Sequence, residues 1–382
     1  MHTRTKILFS TLVLLGALAV PELALRLWKG PPRCSPYERL LAASAQGGGT
    51  DRSTPMPWDP WLLWGLLPNF EGMNLGVPVK HNALGLRSPQ LPTEKAMGER
   101  RVLLLGDSTL YGHGVPEGDT IRSRLEVALR TASGNPNVQV ISMGVPGYSS
   151  LQSLHQYRRL GRPLSPDIVV HGGIWSDAMP DRFEDKVLME GADGAAQVRH
   201  LARSLEERLA PHSALYCNLK GLLSPPELAC EAAGPLCDTP ASHRAIRFQT
   251  VSQPGSPSVA TQARVSLADY EGAYDTLAEL AQQDGAGMVV LQLAHSRDLG
   301  QPVPTPPDAA ATAAYRKVQR DFCARTGVAC VDMVADFQQS ALGFPALFLD
   351  PVHPTALGHA RMAEQLSAAI LADPELSRRL QP

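Results

Sequence analysis

The sequence predicts an α/β fold in which one parallel sheet is covered by helices on both faces. From about residue 101 onward, short continuous apolar runs alternate with segments that carry apolar residues at helical spacing. A short continuous apolar run is typical of a strand that is buried on both faces. Because strands that alternate with helices are joined by crossover connections, we expect a three-layer, doubly wound parallel sheet.

Five strands and four helices follow from this alternation. The apolar runs predict strands at residues 102–105, 138–143, 167–171, 288–293 and 328–333. Helical spacing predicts helices at residues 120–132, 151–160, 309–325 and 355–371. Residues from about 178 to 265 do not fit the alternation. We interpret them as an insertion that lies over the carboxyl ends of the strands, where it could shape a substrate site.

The N-terminal segment is predicted to direct the chain out of the cytoplasm. The basic residues His2, Arg4 and Lys6 precede an apolar run at residues 7–20. This run has the length of a signal-peptide core, but apolar residues continue as far as Trp28, which favours an uncleaved membrane anchor. Because the basic residues stay on the cytoplasmic side in both cases, we expect the rest of the chain to be exported.

The predicted organisation has three parts. Residues 1–29 are the signal peptide or membrane anchor, residues 30–57 are a linker, and residues 58–382 are the main domain with its insertion. Three tryptophans at the start of the main domain lie in a Pro-rich segment that we expect to pack onto it: Trp58, Trp61 and Trp64.

Composition narrows the classes of function. Of the 382 residues, 44% are hydrophobic and 19% are charged, and the net charge is −2. Since there is no basic stripe to neutralise phosphates, nucleic acid is not an expected partner. Neither a C-x-x-C pair nor an H-E-x-x-H sequence is present, so we predict no metal site. The spacing of Gly112, Gly114 and Gly118 misses G-x-G-x-x-G, so we also expect no dinucleotide and no other diffusible cofactor.

The cysteines leave two states open. The six are Cys34, Cys217, Cys230, Cys237, Cys323 and Cys330. Two pairs are close enough in sequence to form small disulfide loops in an oxidising compartment, Cys230 with Cys237 and Cys323 with Cys330. Free buried thiols are an equal alternative for each pair.

A serine directly follows the first predicted strand. Gly106, Asp107 and Ser108 form the turn after the apolar run at residues 102–105. Open α/β sheets place their sites at the carboxyl edge, where backbone N–H groups at the start of the next helix can stabilise an anion. Ser108 is therefore a candidate nucleophile, with a helix-capping serine as the alternative. We expect Asp107 to support the serine loop.

A candidate base lies near the C-terminus. Asp350 and His353 stand three residues apart in a turn before the last predicted helix. A serine hydroxyl becomes a good nucleophile when an imidazole takes its proton, and a carboxylate can hold that imidazole in the right tautomer. His359 is the competing base, but it falls inside the helix without a partner at suitable spacing. His171 and His295, near predicted strand ends, are expected to have structural roles.

These residues resemble the motifs of the SGNH (GDSL-like) hydrolases. The first motif matches Gly106–Ser108, the second matches Gly144, and the last, D-x-x-H, matches Asp350 and His353. The resemblance implies a flavodoxin-like fold and catalysis by Ser108, Asp350 and His353. It also implies an oxyanion hole that contains the N–H groups of Ser108 and Gly144 and a donor from the third motif.

The third motif departs from the pattern of that family. It falls on Ile174–Asp177, where Ser176 stands in place of the family's oxyanion-hole asparagine and Ile174 in place of its glycine. A serine hydroxyl is a shorter donor than an asparagine amide, so we expect a weakened but working oxyanion hole. Asp177 is expected to cap or orient this motif.

Two further segments look like the membrane-anchored bacterial envelope branch of the family, Asn82–Arg87 and Tyr111–Val115. The resemblance, which extends over most of the chain beyond residue 58, implies hydrolysis of an acyl or acetyl ester through a covalent acyl-serine. The ester would belong to a lipid, a polysaccharide or a small molecule. The alternatives are acyl transfer to an envelope polysaccharide and a non-catalytic envelope protein that binds its ligand on the same scaffold. No oligomeric state is predicted.

Overall fold

The computed structural model describes the chain in several stretches, which cover residues 16–28, 56, 58–59, 61–92, 94–181, 184–190, 213–215, 262–301, 307 and 309–382. Apart from Met56, the predicted linker lies outside these residues, as does most of the predicted insertion. Four of the cysteines lie outside them as well: Cys34, Cys217, Cys230 and Cys237.

Five parallel strands form the central sheet. They are β1 Arg100–Gly106, β2 Val138–Ser142, β3 Ile168–Gly172, β4 Gly287–Gln292 and β5 Ala329–Asp332. Their spatial order is β5-β4-β3-β1-β2, so β1 lies between β2 and β3. The apolar side chains of β1 and β3 are buried, which explains their continuous apolar runs. The predicted five-stranded parallel sheet is confirmed.

Helices form a layer on each face of this sheet. In chain order they are α1 Ser108–Tyr111, α2 Ile121–Ser133, α3 Ser150–Gln156, α4 Trp175–Ala178, α5 Leu267–Gln283, α6 Ala309–Thr326 and α7 Ala356–Ala372. Helix α2 packs against α7, while α5 packs against both α3 and α6. The two helical layers and the sheet between them are the predicted three-layer arrangement.

Among the helices of more than four residues that cover the sheet, two differ from the prediction. Helix α5 was not predicted, because its buried face consists of tyrosines and small residues with one leucine, Leu277. The helix predicted at residues 151–160 is α-helical only as far as Gln156, and Tyr157–Gly161 form a wider π-helical turn. Shorter helices lie at Asp185–Glu190, Met333–Gln339, Phe344–Leu347 and Pro374–Arg378.

Short antiparallel strand pairs lie outside the main sheet. They join Trp58–Asp59 to Leu63–Trp64, Glu71–Asn74 to Val77–Lys80, and Pro180–Asp181 to Gln262–Ala263. Trp64 is fully buried, and its indole N–H donates to the carbonyl of Pro146 at 3.0 Å. The segment before β1 therefore packs onto the loop that follows β2.

Two sequence predictions concern the membrane anchor and the state of the cysteines. Among the described residues, no helix is long and apolar enough to cross a membrane. Residues 16–28 form a helix on which Leu23, Leu27 and Trp28 are exposed. Cys323, which is buried, and Cys330, which is exposed, are both free thiols.

Candidate active site

Ser108 begins helix α1 at the carboxyl end of β1. Asp107 caps this helix, because its Oδ1 accepts the N–H of Thr109 at 2.9 Å. Gly106 packs so closely against the carbonyl of Gly172 in β3 that a side chain would not fit there. In a sheet of this strand order, the connections that leave β1 and β3 run to opposite edges of the sheet, and open α/β folds bind ligands at such a point. Ser108 stands at that point.

Ser108, His353 and Asp350 form a continuous chain of hydrogen bonds. Ser108 Oγ lies 2.7 Å from His353 Nε2, and His353 Nδ1 lies 2.6 Å from Asp350 Oδ2. The second carboxylate oxygen, Asp350 Oδ1, accepts the N–H groups of Val352 and His353, each at 2.9 Å. Burial alone would raise the pKa of Asp350, but its bonds to His353 and to these N–H groups outweigh burial and lower the pKa to about 2.

A closed turn holds Asp350 and His353 together. The N–H of Leu349 donates to the carbonyl of His353 at 2.8 Å, and Phe348 and Pro354 form an antiparallel bridge. Thr355 then caps α7 immediately after the turn. The contact between Asp350 and His353 is thus local in sequence. Ser108 and His353, by contrast, are 245 residues apart and meet only in the folded chain.

Gly144 lies against helix α1, two residues after the end of β2. A Cβ atom on Gly144 would stand 2.3 Å from the N of Tyr111 and 2.5 Å from the carbonyl carbon of Leu110, so only glycine allows this approach. The N–H of Val145 donates to the carbonyl of Gly106 at 3.0 Å. The second predicted motif therefore packs directly on the turn that carries Ser108.

The third predicted motif forms helix α4 beyond the end of β3. Ser176 is buried to 7% exposure, and its hydroxyl has no hydrogen-bond partner among the residues that the structure describes. Asp177 is fully buried, and its Oδ1 accepts the N–H of Ser150 at 2.8 Å and the hydroxyl of Ser150 at 2.6 Å. Asp177 thus ties the third motif to the start of α3, which is an orienting contact.

Two carboxyl groups near these motifs are protonated more easily than usual. Burial raises the pKa of Asp107 and that of Asp177, each to about 6. Within the described ranges, each of the two keeps one carboxyl oxygen without a hydrogen-bond partner, Oδ2 in both cases. The direct cause is that both side chains lie in the interior at the carboxyl edge of the sheet.

The other predicted histidines take structural positions. His359 is fully buried, and its Nδ1 accepts the N–H of Ile121 at the start of α2, at 3.2 Å. His171 Nδ1 lies 2.8 Å from the hydroxyl of Tyr274, and His295 caps a short 3₁₀ helix. Burial lowers the pKa of all three, to about 3 for His359 and about 4 for the other two. His359, the competing candidate for the base, therefore makes its hydrogen bond to the start of α2.

Two further residues, His113 and Arg87, have no predicted role. The ring of His113 lies against that of His353, with centroids 4.6 Å apart and planes inclined at 38°. The guanidinium of Arg87 is buried and donates to three carbonyls in the loop that carries His113. Both residues fall in segments that show the family resemblance, Asn82–Arg87 and Tyr111–Val115, but their contacts depend on the folded chain.

The described part of the chain contains no group of three or more His, Cys, Asp or Glu side chains placed to hold a metal ion. Both ring nitrogens of His353 are already engaged, one by Ser108 and the other by Asp350. The arrangement is therefore suited to moving a proton from the serine hydroxyl to the imidazole.

Solved structures of low sequence identity resemble the chain. LAE5, an alpha/beta hydrolase enzyme from the metagenome of Lake Arreo, shares 14% identity at a TM-score of 0.41, over 76% of this chain and 99% of that one. The lipase/acylhydrolase from Enterococcus faecalis shares 12% identity at a TM-score of 0.42, over 72% and 96%. A catalytic mutant of Axe2, an acetylxylan esterase from Geobacillus stearothermophilus, shares 13% identity at a TM-score of 0.41, over 72% and 94%.

A family match covers the C-terminal part of the main domain. Residues 251–361 match the GDSL-like Lipase/Acylhydrolase family. No protein with a curated description matches the chain. The matched residues include Asp350 and His353, and the fold brings Ser108 to them from outside the matched range. Over these residues the chain is similar to the GDSL-like lipase/acylhydrolases.

Proposed function

We propose that the chain is a serine esterase that hydrolyses an acyl or acetyl ester of a lipid, a polysaccharide or a small molecule. The observation that carries the proposal is the unbroken hydrogen-bonded chain from Ser108 Oγ through His353 to Asp350. A serine that merely caps a helix has no need of an imidazole at 2.7 Å whose other nitrogen is bonded to a carboxylate.

The proposed reaction has two half-reactions. In the first, Ser108 Oγ attacks the ester carbonyl carbon while His353 Nε2 takes the hydroxyl proton. His353 then gives this proton to the departing alcohol, and the acyl group stays on Ser108. In the second, water attacks the acyl-serine, His353 takes a proton from that water, and the proton returns to Ser108 as the acid leaves. Asp350 stabilises the charged imidazole in both.

Three donors are proposed to stabilise the oxyanion, namely the N–H groups of Ser108 and Gly144 and the hydroxyl of Ser176. Within the described residues none of these three groups has a hydrogen-bond partner, so all are available to a substrate. Ser108 is also the first residue of α1, where backbone N–H groups are left unpaired and favour negative charge.

Labelling by a fluorophosphonate and turnover of p-nitrophenyl acetate test the proposal on the full chain. We expect both to disappear in Ser108→Ala and in His353→Ala, and to persist in Ser133→Ala, a serine at the far end of α2. A folded wild-type protein that neither takes up the label nor turns over the ester would contradict the proposed esterase.

The proposal includes export and attachment to a membrane through the N-terminal segment, as in the envelope branch. The support is the basic start of the chain before the apolar run at residues 7–20, together with exposed Leu23, Leu27 and Trp28 on the helix at residues 16–28. We expect the full chain to stay with membranes during an alkaline carbonate wash and a chain without residues 1–29 to be released. Release of both would contradict the anchor.

A further inference from the structure

We propose that His113 is a positioning residue that keeps the ring of His353 between Ser108 and Asp350 by packing its own ring against it. The inference rests on the proposed esterase function, because it assigns His113 a part in the proton transfers of that reaction. The observation that leads to it is the ring contact, with centroids 4.6 Å apart and planes inclined at 38°.

His113 is held by its backbone. Its N–H donates to the carbonyl of Ser108 at 3.1 Å, which ties it to the helix of the proposed nucleophile. Gly112 and Gly114 flank it at φ values of 79° and 72°, a left-handed conformation that glycine adopts without strain. The N–H of Gly114 donates to Asn74 Oδ1 at 2.9 Å. The loop therefore presents the ring of His113 in a defined direction.

Arg87 braces this loop from the interior. Its guanidinium is buried to 1% exposure and donates to the carbonyls of Tyr111 at 3.2 Å, Gly112 at 2.5 Å and Val115 at 2.6 Å. It also pairs with the partly exposed carboxylate of Glu117 at 3.0 Å. A rigid planar group with several donors fixes carbonyls in a single geometry. The loop that carries His113 is consequently pinned at three positions.

The catalytic ring needs such a support. Its two hydrogen bonds, to Ser108 and to Asp350, hold the edges of the His353 ring and leave its faces unrestrained. Asp350 is 40% exposed, so its end of the chain borders solvent. When Ser108 carries the acyl group, the bond from the serine hydroxyl is lost and Asp350 alone orients the ring. A side chain packed on one face would then keep His353 in place for the attack of water.

A neutral ring suits this position. Burial, with a smaller contribution from the charge of His353, lowers the pKa of His113 to about 3. His113 therefore brings no positive charge to the imidazolium that forms on His353. Its Nδ1 is buried without a hydrogen-bond partner among the described residues, so the ring acts through packing rather than through that nitrogen.

Steady-state kinetics on the full chain compare His113→Ala, which removes the ring, with His113→Phe, which keeps a ring without nitrogens. In His113→Ala we expect kcat to fall about tenfold and KM to fall with it, because the misplaced base slows the attack of water more than the first half-reaction. A larger initial burst of p-nitrophenol should accompany the change. His113→Phe should retain kcat within about threefold. Equal losses in the two variants, or no loss in either, would overturn the inference.

A spectroscopic measurement separates this inference from the esterase proposal. In full-length protein with ¹³C-labelled histidine, the ring protons of His353, assigned through His353→Ala, should carry a ring-current shift. That shift should vanish in His113→Ala and persist in His113→Phe. If the wild type turned over no ester, the proposed function would fail while the spectra still tested the contact. Unchanged His353 signals in His113→Ala would overturn the inference even in an active enzyme.

Discussion

The two sides of the candidate site are built in different ways. Ser108, His353 and Asp350 are joined by side-chain hydrogen bonds of 2.7 Å and 2.6 Å. Around Gly144 the close contacts are with the main chain of α1, and the Ser176 hydroxyl has no hydrogen-bond partner within the described residues. The first side is thus a complete path for a proton before any substrate arrives. In the proposed reaction, the second side supplies the donors to the oxyanion.

The carboxyl groups of the two sides also differ in their pKa. The hydrogen bonds of Asp350 outweigh its burial and lower its pKa to about 2, so it is ionised at neutral pH. Burial instead raises the pKa of Asp107 and of Asp177 to about 6. A carboxylate beside the imidazole stabilises the charge that forms there. Asp350 keeps its charge well below neutral pH, whereas Asp107 and Asp177 lose theirs as the pH falls through about 6.

Asp350→Asn breaks the triad side and should have the largest effect. The amide can keep the bonds from the N–H groups of Val352 and His353, but it presents an N–H group to His353 Nδ1. The ring then takes the wrong tautomer, and kcat/KM should fall about 10⁴-fold without loss of the fold. Ester turnover and circular dichroism check this. Asp336→Asn, which neutralises the carboxylate paired with Arg361 away from the triad, should leave turnover unchanged. A loss below about tenfold would argue against the assigned role of Asp350.

Ser176→Ala tests the oxyanion side and should have a smaller effect. Removing one donor to the oxyanion lowers kcat by about 10²-fold, and KM should change little, because the donor acts mainly in the transition state. Ser176→Asn, which supplies the longer amide donor, should raise turnover above that of the wild type. Turnover that is the same in all three proteins would show that the side chain at this position does not contact the oxyanion.

Asp177→Asn sharpens the electrostatic difference and should have the smallest effect, which concerns stability. Burial raises the pKa of Asp177 from 3.8 to about 6, so the folded protein binds this proton more tightly than the unfolded chain does. Its contribution to the free energy of unfolding is therefore greatest below pH 4 and falls as the pH rises from 4 to 6. Asn keeps an oxygen for the bonds from Ser150 and does not titrate, so that fall should disappear.

Urea unfolding at pH 4.5 and at pH 7.5 measures this difference. The free energy of unfolding of the wild type, relative to that of Asp177→Asn, should decrease by an amount on the order of 2 kcal/mol between the two pH values. Asp107, whose pKa is raised in the same direction, is present in both proteins, and its charge is the smallest of the influences on the pKa of Asp177, so its contribution largely cancels. Parallel pH dependences in the two proteins would contradict the assignment of a raised pKa to Asp177.

Local patterns in the sequence determined the strands and half of the site. The five predicted strands agree with the observed bounds to within two residues. A strand that is buried on both faces needs a continuous apolar run, and such a run is recognisable in the sequence. Asp350 and His353 were identifiable as partners because three residues of a tight turn bring them together. The apolar pattern did not predict helix α5, because tyrosines and alanines form most of its buried face.

The family resemblance paired Ser108 with His353, and the tertiary structure supplies the contact between them. His353 lies 245 residues away, and it arrives because α7 packs on α2 beside a sheet in which β1 stands between β2 and β3. The same packing sets the ring of His113 on that of His353 and fixes the loop with Arg87. Strand order and the approach of distant loops depend on how all the buried faces fit together. No short stretch of sequence carries that information, since each local segment is compatible with several arrangements of its neighbours.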